Sequence, residues 1–172
     1  KSVGNKILLS IIIPYHNKKK FFHSTIKSIY SQTFKNYEVI LIYDDNDYGE
    51  INFVKNQLKK IKNRKLIINK KILGPGLSRN IGIKYAKGKL IAFCDADDTW
   101  HKNKLSEQIK FMAKNNLKFS HTSYNIINYN GKKSGQFKIK EKLNYSDLLK
   151  SCDIGLSTVV VEKKILNSSK FC

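Results

Sequence analysis

Four apolar segments alternate with segments of helical periodicity, and this alternation constrains the fold more than any other feature of the chain. The apolar runs are continuous and rich in β-branched residues: Leu8–Ile13, Val39–Tyr43, Leu66–Ile68 and Leu90–Cys94. Fully apolar strands that alternate with helices predict an α/β fold, in which a mostly parallel sheet is covered by helices on both faces.

Apolar residues at helical spacing predict a helix after each of these strands. They occur at Phe22, Ile26, Ile29 and Tyr30, within Ile51–Ile61, at Leu77, Ile81 and Tyr85, and at Leu105, Ile109, Met112 and Ala113. In the third helix we expect Leu77, Ile81 and Tyr85 to form one face, and Gly88 to end the helix.

Polar clusters follow three of the four predicted strands. They are Tyr15-His16-Asn17, Asp44–Asp47 and Asp95–Asp98. The carboxyl ends of parallel strands meet at one edge of a sheet, where open α/β sheets bind their ligands. The coincidence of three clusters at that edge therefore predicts a binding site.

The last cluster places three carboxylates within four residues. In an extended segment Asp95 and Asp97 point to the same side and repel each other unless a cation lies between them. A divalent metal that also binds phosphate oxygens is one solution. An acidic turn that caps the next helix through Asp98 or Thr99 is the other.

The second half of the chain has a different pattern. Phe119–Tyr129 and Lys133–Ile139 flank Asn130-Gly131, a strong hairpin turn signal. Tyr145–Cys152 has helical character, and Thr158–Val161 is a further β-branched run. We expect this half to add antiparallel strands to the sheet, within one domain that spans residues 1–172.

The chain is strongly basic, with 33 Lys and Arg against 13 Asp and Glu and a net charge of +20. Such a field attracts nucleic acid, anionic lipid or phosphorylated substrates. Lysine-rich composition is equally typical of AT-rich genomes, and clusters such as Lys18–Lys20 are predicted to be solvated faces. Only Arg64 and Arg79 are arginines, so no specific nucleic-acid partner is expected.

The three cysteines match neither a zinc pattern nor a disulfide framework. Cys94 lies within an apolar run and is predicted to be a small core residue. A reducing cytoplasm is the simplest compartment for such a chain. Since no apolar run approaches 18 residues, we expect no membrane span.

Several segments together resemble the family 2 glycosyltransferases of the GT-A fold. They are Ser10–Asn17, Ser31–Phe34, Tyr37–Asp45, Gly76–Gly82 and Asp95–Asp98, and they match in order and spacing from residue 8 to about residue 115. The resemblance implies a nucleotide-sugar-binding sandwich, with residues 1–115 as the nucleotide-sugar half and residues 116–172 as the start of the acceptor half.

The resemblance also implies roles for individual residues. Pro14 and Tyr15 would line the base and ribose pocket, and Asp45 would bind the uracil or its ribose. Asp95 and Asp97 would form the acidic pair that holds Mn²⁺ or Mg²⁺, with Asp97 as its direct ligand.

Two further residues have alternative roles. Arg79 would lie near the nucleotide and could reach its diphosphate, or else form a structural pair with Asp95 or Asp98. Trp100 would border the sugar or pack in the core.

The family implies inversion at the anomeric carbon, with a carboxylate as base for the acceptor hydroxyl. Its base usually follows the segment that resembles Ile154–Leu166, so we expect the base to lie beyond Cys172. Asp153 and Glu162 are weak candidates within the chain.

The implied function is sugar transfer from a UDP-sugar to a glycan or lipid-linked acceptor in bacterial surface glycan synthesis. It would take place in the cytoplasm or at the inner face of an anionic membrane. A nucleotide-sugar-binding module without catalysis is the alternative, and a basic nucleic-acid binder is a weaker one.

Overall fold

The computed structural model describes residues 7–138, 140, 154–166 and 170–171. The strands are β1 (Leu9–Tyr15), β2 (Tyr37–Tyr43), β3 (Arg64–Ile68), β4 (Leu90–Phe93), β5 (Phe119–Ser120), β6 (Tyr124–Ile127), β7 (Lys133–Phe137) and β8 (Val160–Glu162). The helices are α1 (Lys19–Tyr30), α2 (Ile51–Leu58), α3 (Pro75–Tyr85), α4 (Lys104–Lys114) and α5 (Lys163–Leu166). Within these ranges no helix has the length and apolar character needed to cross a membrane.

Six strands form one sheet in the order β3-β2-β1-β4-β8-β5. The first four are parallel to one another, whereas β8 is antiparallel to both β4 and β5. The predicted α/β fold with a mostly parallel sheet and an antiparallel C-terminal addition is confirmed.

The sheet separates two apolar layers. Alternate residues of β1 show this: Ile11 and Ile13 pack with α1, α2 and α4 on one face, whereas Ile12 packs with α3 on the other. All three side chains are fully buried. Because β1 is central and covered on both faces, its polar neighbours are confined to its two ends.

The predicted face of α3 is wrong at two of its three positions. Leu77 and Tyr85 are exposed, whereas Ile81 is half-buried and packs against the apolar layer on this face of the sheet. The helix also buries Gly82 and Ile83. A Cβ at Gly82 would lie 2.5 Å from Cγ2 of Ile12, so the helix approaches the sheet closely at this residue.

The predicted hairpin forms, but β6 and β7 make a separate two-stranded sheet rather than an addition to the main one. Gly131 in the connection has a φ of +74°, which favours glycine.

Cys94 is fully buried, as predicted for a core residue. The helix predicted at Tyr145–Cys152 lies outside the described residues.

We expect Gly82→Ala to destabilise the protein. The new methyl group would overlap Ile12 and would lie 3.0 Å from Cδ1 of Ile42. Overpacking of this kind costs about 1–3 kcal/mol, more than the gain in helix propensity of up to about 1 kcal/mol. Urea denaturation measures the change, and Gly135→Ala, whose Cβ would meet its nearest neighbour at 3.5 Å, is the control. A stabilised Gly82→Ala variant would contradict this account of α3.

Candidate active site

Three hydroxyl groups hold the backbone of the acidic turn, residues 95–98, and of the segment directly after it. Thr25 in α1 donates to the carbonyl oxygen of Ala96 at 2.9 Å, and the backbone N–H of Asp95 donates to Oγ of Ser157 at 3.0 Å. The backbone N–H of Trp100 donates to Oγ of Ser28 at 3.1 Å. The turn is therefore fixed through its main chain, and its carboxylates remain available for other partners.

The segment after the turn is anchored by Gln32, which belongs to one of the motifs that carry the family resemblance. Its buried amide donates to the carbonyl oxygen of His101 at 2.8 Å and accepts from the backbone N–H of Leu105 at 3.1 Å. These two bonds tie the end of α1 to the start of α4. The motif thus has a structural role in positioning the acidic turn.

Arg79 forms an ion pair with Asp95. Its Nη2 lies 2.6 Å from Oδ1 of Asp95, and the guanidinium is nearly buried while the carboxylate is 39% exposed. Of the two partners that the sequence allowed, the structure selects Asp95. The buried Nε of Arg79 has no hydrogen-bond partner among the described residues.

Asp97 forms an ion pair with Lys18, whose Nζ lies 2.7 Å from Oδ2 of Asp97. Both side chains are well exposed, and the hydrogen bond to Asp97 raises the pKa of Lys18. Lys18 had been predicted to be part of a solvated face. Its position directly after Tyr15-His16-Asn17, one of the clusters at the ends of the strands, was the signal that could have identified it.

Asp98 occupies a concave part of the surface. Partial loss of solvent raises the pKa of its carboxyl, and the nearby charges of Asp95 and Asp97 act in the same direction. A hydrogen bond with Ser157 opposes the rise. No sequence signal pointed to Ser157, which contacts both ends of the acidic turn.

Asp44 and Asp45 follow β2 but have different surroundings. Asp44 is buried and accepts backbone N–H bonds from Leu73 and Gly74 at 2.8 Å each, so it fixes the loop before α3. Asp45 lies at the carboxyl edge of the sheet and accepts from the backbone N–H groups of Asn17 at 2.6 Å and Asp47 at 3.0 Å. Burial by itself would raise the pKa of Asp45, but these N–H bonds bring it below its usual value. Asp45 is therefore ionised and partly accessible.

Tyr15 points into the core rather than toward a ligand site. Its ring is fully buried and stacks on Tyr43 with centroids 5.3 Å apart, and its hydroxyl donates to Glu50 at 2.6 Å. Burial raises its pKa strongly. The main chain of Tyr15 is buried too, and its carbonyl oxygen accepts from the backbone N–H of Asp44 at 2.9 Å, while Pro14 before it is half-buried.

The remaining predicted residues lie in different parts of the molecule. Trp100 is buried, and its Nε1 donates to the carbonyl oxygen of Ser157 at 2.9 Å. Glu162 pairs in register with Leu90, at the start of β4, so it lies at the opposite end of the strand from Asp95 and is excluded as a base. Asp153 lies outside the described residues.

Asp95 and Asp97 have the chemistry of a partial metal site. Within the described ranges, no three His, Cys, Asp or Glu side chains form a metal site by themselves. Mg²⁺ is commonly held by only one or two carboxylates together with substrate phosphates, and Mn²⁺ also prefers oxygen ligands. The two carboxylates therefore fit a divalent cation that is shared with a bound diphosphate.

Comparison with known sequences identifies the family of this chain. The family model for glycosyl transferase family 2 matches residues 10–171. The chain belongs to glycosyl transferase family 2. The family resemblance of the motifs is thereby confirmed.

Curated relatives cover almost the whole chain. The UDP-Glc:alpha-D-GlcNAc-diphosphoundecaprenol beta-1,3-glucosyltransferase WfgD of Escherichia coli is 39% identical over 165 residues, which are 95% of this chain and 64% of that protein. The putative teichuronic acid biosynthesis glycosyltransferase TuaG of Bacillus subtilis is 31% identical, over 92% of this chain and 64% of its own length. The chain thus spans less than two thirds of the length of these relatives.

Solved structures share the GT-A fold. TarS of S. aureus in complex with UDP-GlcNAc has a TM-score of 0.75 and 23% identity, over 93% of this chain and 46% of that one. The mannosyltransferase PcManGT from Pyrobaculum calidifontis, in complex with GDP-Man and Mn²⁺, has a TM-score of 0.69 and 14% identity, over 95% of this chain and 47% of that one.

The two ion pairs should differ in their contributions to stability. Lys18→Met should change the free energy of unfolding by less than about 1 kcal/mol, because exposed pairs contribute little. Arg79→Met should cost more, about 1–3 kcal/mol, since Arg79 is nearly buried; the exposed carboxylate of Asp95 keeps the cost below that of a fully buried pair. Urea denaturation of both variants measures the difference. Equal losses would mean that burial does not determine the strength of these pairs.

Proposed function

We propose that this chain is the donor-binding part of an inverting, metal-dependent glycosyltransferase of bacterial surface glycan synthesis. The observation that carries the proposal is the arrangement of Asp45, Asp95 and Asp97 at the carboxyl edge of a parallel sheet in a chain of this family. The activity named for WfgD and the UDP-GlcNAc complex of TarS support a UDP-sugar as donor.

The nucleoside would bind against Asp45. Two backbone N–H groups already hold this carboxylate in place, and carboxylate oxygens have further lone pairs that can accept from a uracil N–H or a ribose hydroxyl. Pro14, which is half-buried, would form the adjoining wall, whereas Tyr15 would support it from the core.

The diphosphate would bind beside the acidic turn. Asp97 and Asp95 would hold Mn²⁺ or Mg²⁺, which when bound supplies positive charge to the leaving diphosphate. Arg79 and Lys18 would add positive charge from the protein, and Arg79 is held in place by Asp95. These cations would lower the cost of the charge that develops on the leaving group.

In the proposed reaction an acceptor hydroxyl attacks the anomeric carbon from the face opposite the diphosphate. The new C–O bond forms as the bond to the diphosphate oxygen breaks, and a carboxylate base takes the hydroxyl proton. Inversion of the anomeric carbon follows from this geometry. We assign no described residue to the base, since Glu162 lies at the wrong end of the sheet.

A lipid-linked acceptor would bring the protein to the inner face of the cytoplasmic membrane. The net charge of +20 favours contact with anionic headgroups. We place the donor site in residues 1–115 and the start of the acceptor site in residues 116–172.

Transfer of labelled sugar from a panel of UDP-sugars to undecaprenyl-diphosphate-linked GlcNAc tests the function. Donor binding without any transfer would favour the non-catalytic binding module.

We expect Asp97→Ala to weaken Mn²⁺-dependent binding of UDP by at least about tenfold, as loss of supporting groups around a metal already costs that much. Isothermal titration calorimetry with and without Mn²⁺ measures the loss. The adjacent Asp98→Asn is the control and should retain affinity. Unchanged binding in Asp97→Ala would remove Asp97 from the metal site.

We expect Asp45→Asn to weaken UDP but not inorganic pyrophosphate, because its carboxylate would contact the nucleoside alone. Loss of a hydrogen bond to a charged group costs about 1.5–3 kcal/mol. Asp47→Asn, in the same acidic cluster, should bind both ligands as the unchanged protein does. Equal weakening of UDP and pyrophosphate would place Asp45 at the diphosphate.

A further inference from the structure

Arg79 has an aromatic neighbour in addition to its carboxylate partner. Its guanidinium carbon lies 5.8 Å from the ring centre of Phe171, a residue far later in the chain. Arg79 is only 8% exposed, and cation–π contacts are strongest where water is excluded. The Phe171 ring packs against Phe93 of β4 in a T-shaped arrangement, with centroids 5.3 Å apart. Arg79 therefore contacts both the acidic turn and a ring that is anchored to the sheet.

The main chain of Phe171 is anchored by the residue that follows Arg79 in α3. The side-chain amide of Asn80 donates to the carbonyl oxygen of Phe171 at 2.8 Å and accepts from its backbone N–H at 3.0 Å. This pair of bonds fixes Phe171, which belongs to no helix or strand. Because Arg79 directly precedes Asn80, the same turn of α3 sets both the ion pair with the acidic turn and the position of the ring.

The guanidinium of Arg79 has few other restraints. Asp95 accepts from its Nη2, and its buried Nε has no hydrogen-bond partner among the described residues. A single bond to a carboxylate that is 39% exposed leaves the planar guanidinium free to rotate. Rotation would change the direction of its other N–H groups, which form a rigid fork. The ring of Phe171 restricts this rotation.

We propose that Asn80 and Phe171 are positioning residues for Arg79, and that they keep its guanidinium directed toward the diphosphate of the donor. Both would act through Arg79 rather than on the donor itself. Asn80 fixes the main chain of Phe171, and the ring restrains the guanidinium. Arg79 would then meet the diphosphate with less loss of conformational freedom on binding. The inference rests on the proposed function, and it adds two residues to the donor side of the site.

The two arginines allow a measurement without ligand. Arg79 and Arg64 are the only arginines of the chain, so protein labelled with ¹⁵N-arginine gives two Nε–H signals. We expect a high heteronuclear NOE for Arg79, which reports restricted motion on the ps–ns timescale. Phe171→Leu keeps an apolar side chain but removes the ring, and it should shift the Arg79 signal and lower this NOE. The Arg64 signal should not change and is the internal control.

Calorimetric titrations with UDP and with pyrophosphate, both in the presence of Mn²⁺, measure the effect on the site. Phe171→Leu should raise the Kd of both ligands about three- to tenfold, as expected for loss of a cation–π contact to a desolvated guanidinium. Asn80→Ala should act similarly because it releases Phe171, whereas Phe171→Tyr retains the ring and should bind as the unchanged protein does. Tyr85→Leu removes a ring of α3 that lies 4.0 Å from Nζ of Lys65, and this matched control should change neither Kd.

A double-mutant cycle shows whether Phe171 acts through Arg79. Because Arg79→Met removes the guanidinium, the addition of Phe171→Leu to it should weaken pyrophosphate binding no further. A merely structural role of Phe171 would weaken binding equally in both backgrounds. Urea denaturation of each variant shows that folded proteins are compared.

The outcomes separate this inference from the proposed function. If UDP binds but Phe171→Leu leaves its Kd unchanged, or weakens it equally in the Arg79→Met background, the positioning role is wrong and the donor assignment stands. Unchanged binding in Asn80→Ala would overturn the role of Asn80. If UDP does not bind the unchanged protein, the proposed function fails, and the NOE of Arg79 in Phe171→Leu still decides whether the ring restrains the guanidinium.

Discussion

The fixed main chain of the acidic turn is the constraint on which the rest of the site depends. Three carboxylates within four residues repel one another, so they cannot hold the turn in place themselves. Hydroxyls of Thr25 and Ser157 hold it instead through the backbone of Ala96 and Asp95. Thr25 lies in α1, and Ser157 lies in the chain just before β8. The turn therefore also joins α1 to the segment that leads into β8.

The carboxylates are stabilised by two cations of different character. Arg79 is nearly buried and remains part of the scaffold, whereas Lys18 is 41% exposed and can move at low cost. Metal and diphosphate, in the proposed function, would compete with Lys18 for Asp97 but would meet Arg79 in a fixed position. The charge at the turn is therefore balanced by one nearly buried cation and one exposed cation.

The sequence predicts the parts of the fold that depend on periodicity. Continuous apolar runs identified β1 and β4, and the burial of Cys94 followed from its place in such a run. The face of α3 was only partly predicted, because close packing there requires the absence of a side chain at Gly82, which a search for large apolar residues does not detect. The pairing of Lys18 with Asp97 joins residues far apart in sequence, and composition gives no indication of it.

The same distinction explains why the acidic clusters were easier to place than the contacts of α4. The clusters directly follow strands, so their position in sequence gives their position at the edge of the sheet. The position of α4 instead depends on Gln108, which donates to Oγ of Ser120 and, across 50 residues of chain, to the carbonyl oxygen of Thr158. A buried amide with these partners fixes both α4 and residues 155–158 without any motif of its own. Ser157 connects this segment to the acidic turn, since it accepts from the backbone N–H of Asp95 and from Nε1 of Trp100. A displacement of the acidic turn would therefore be transmitted to the ring on which Lys104 rests.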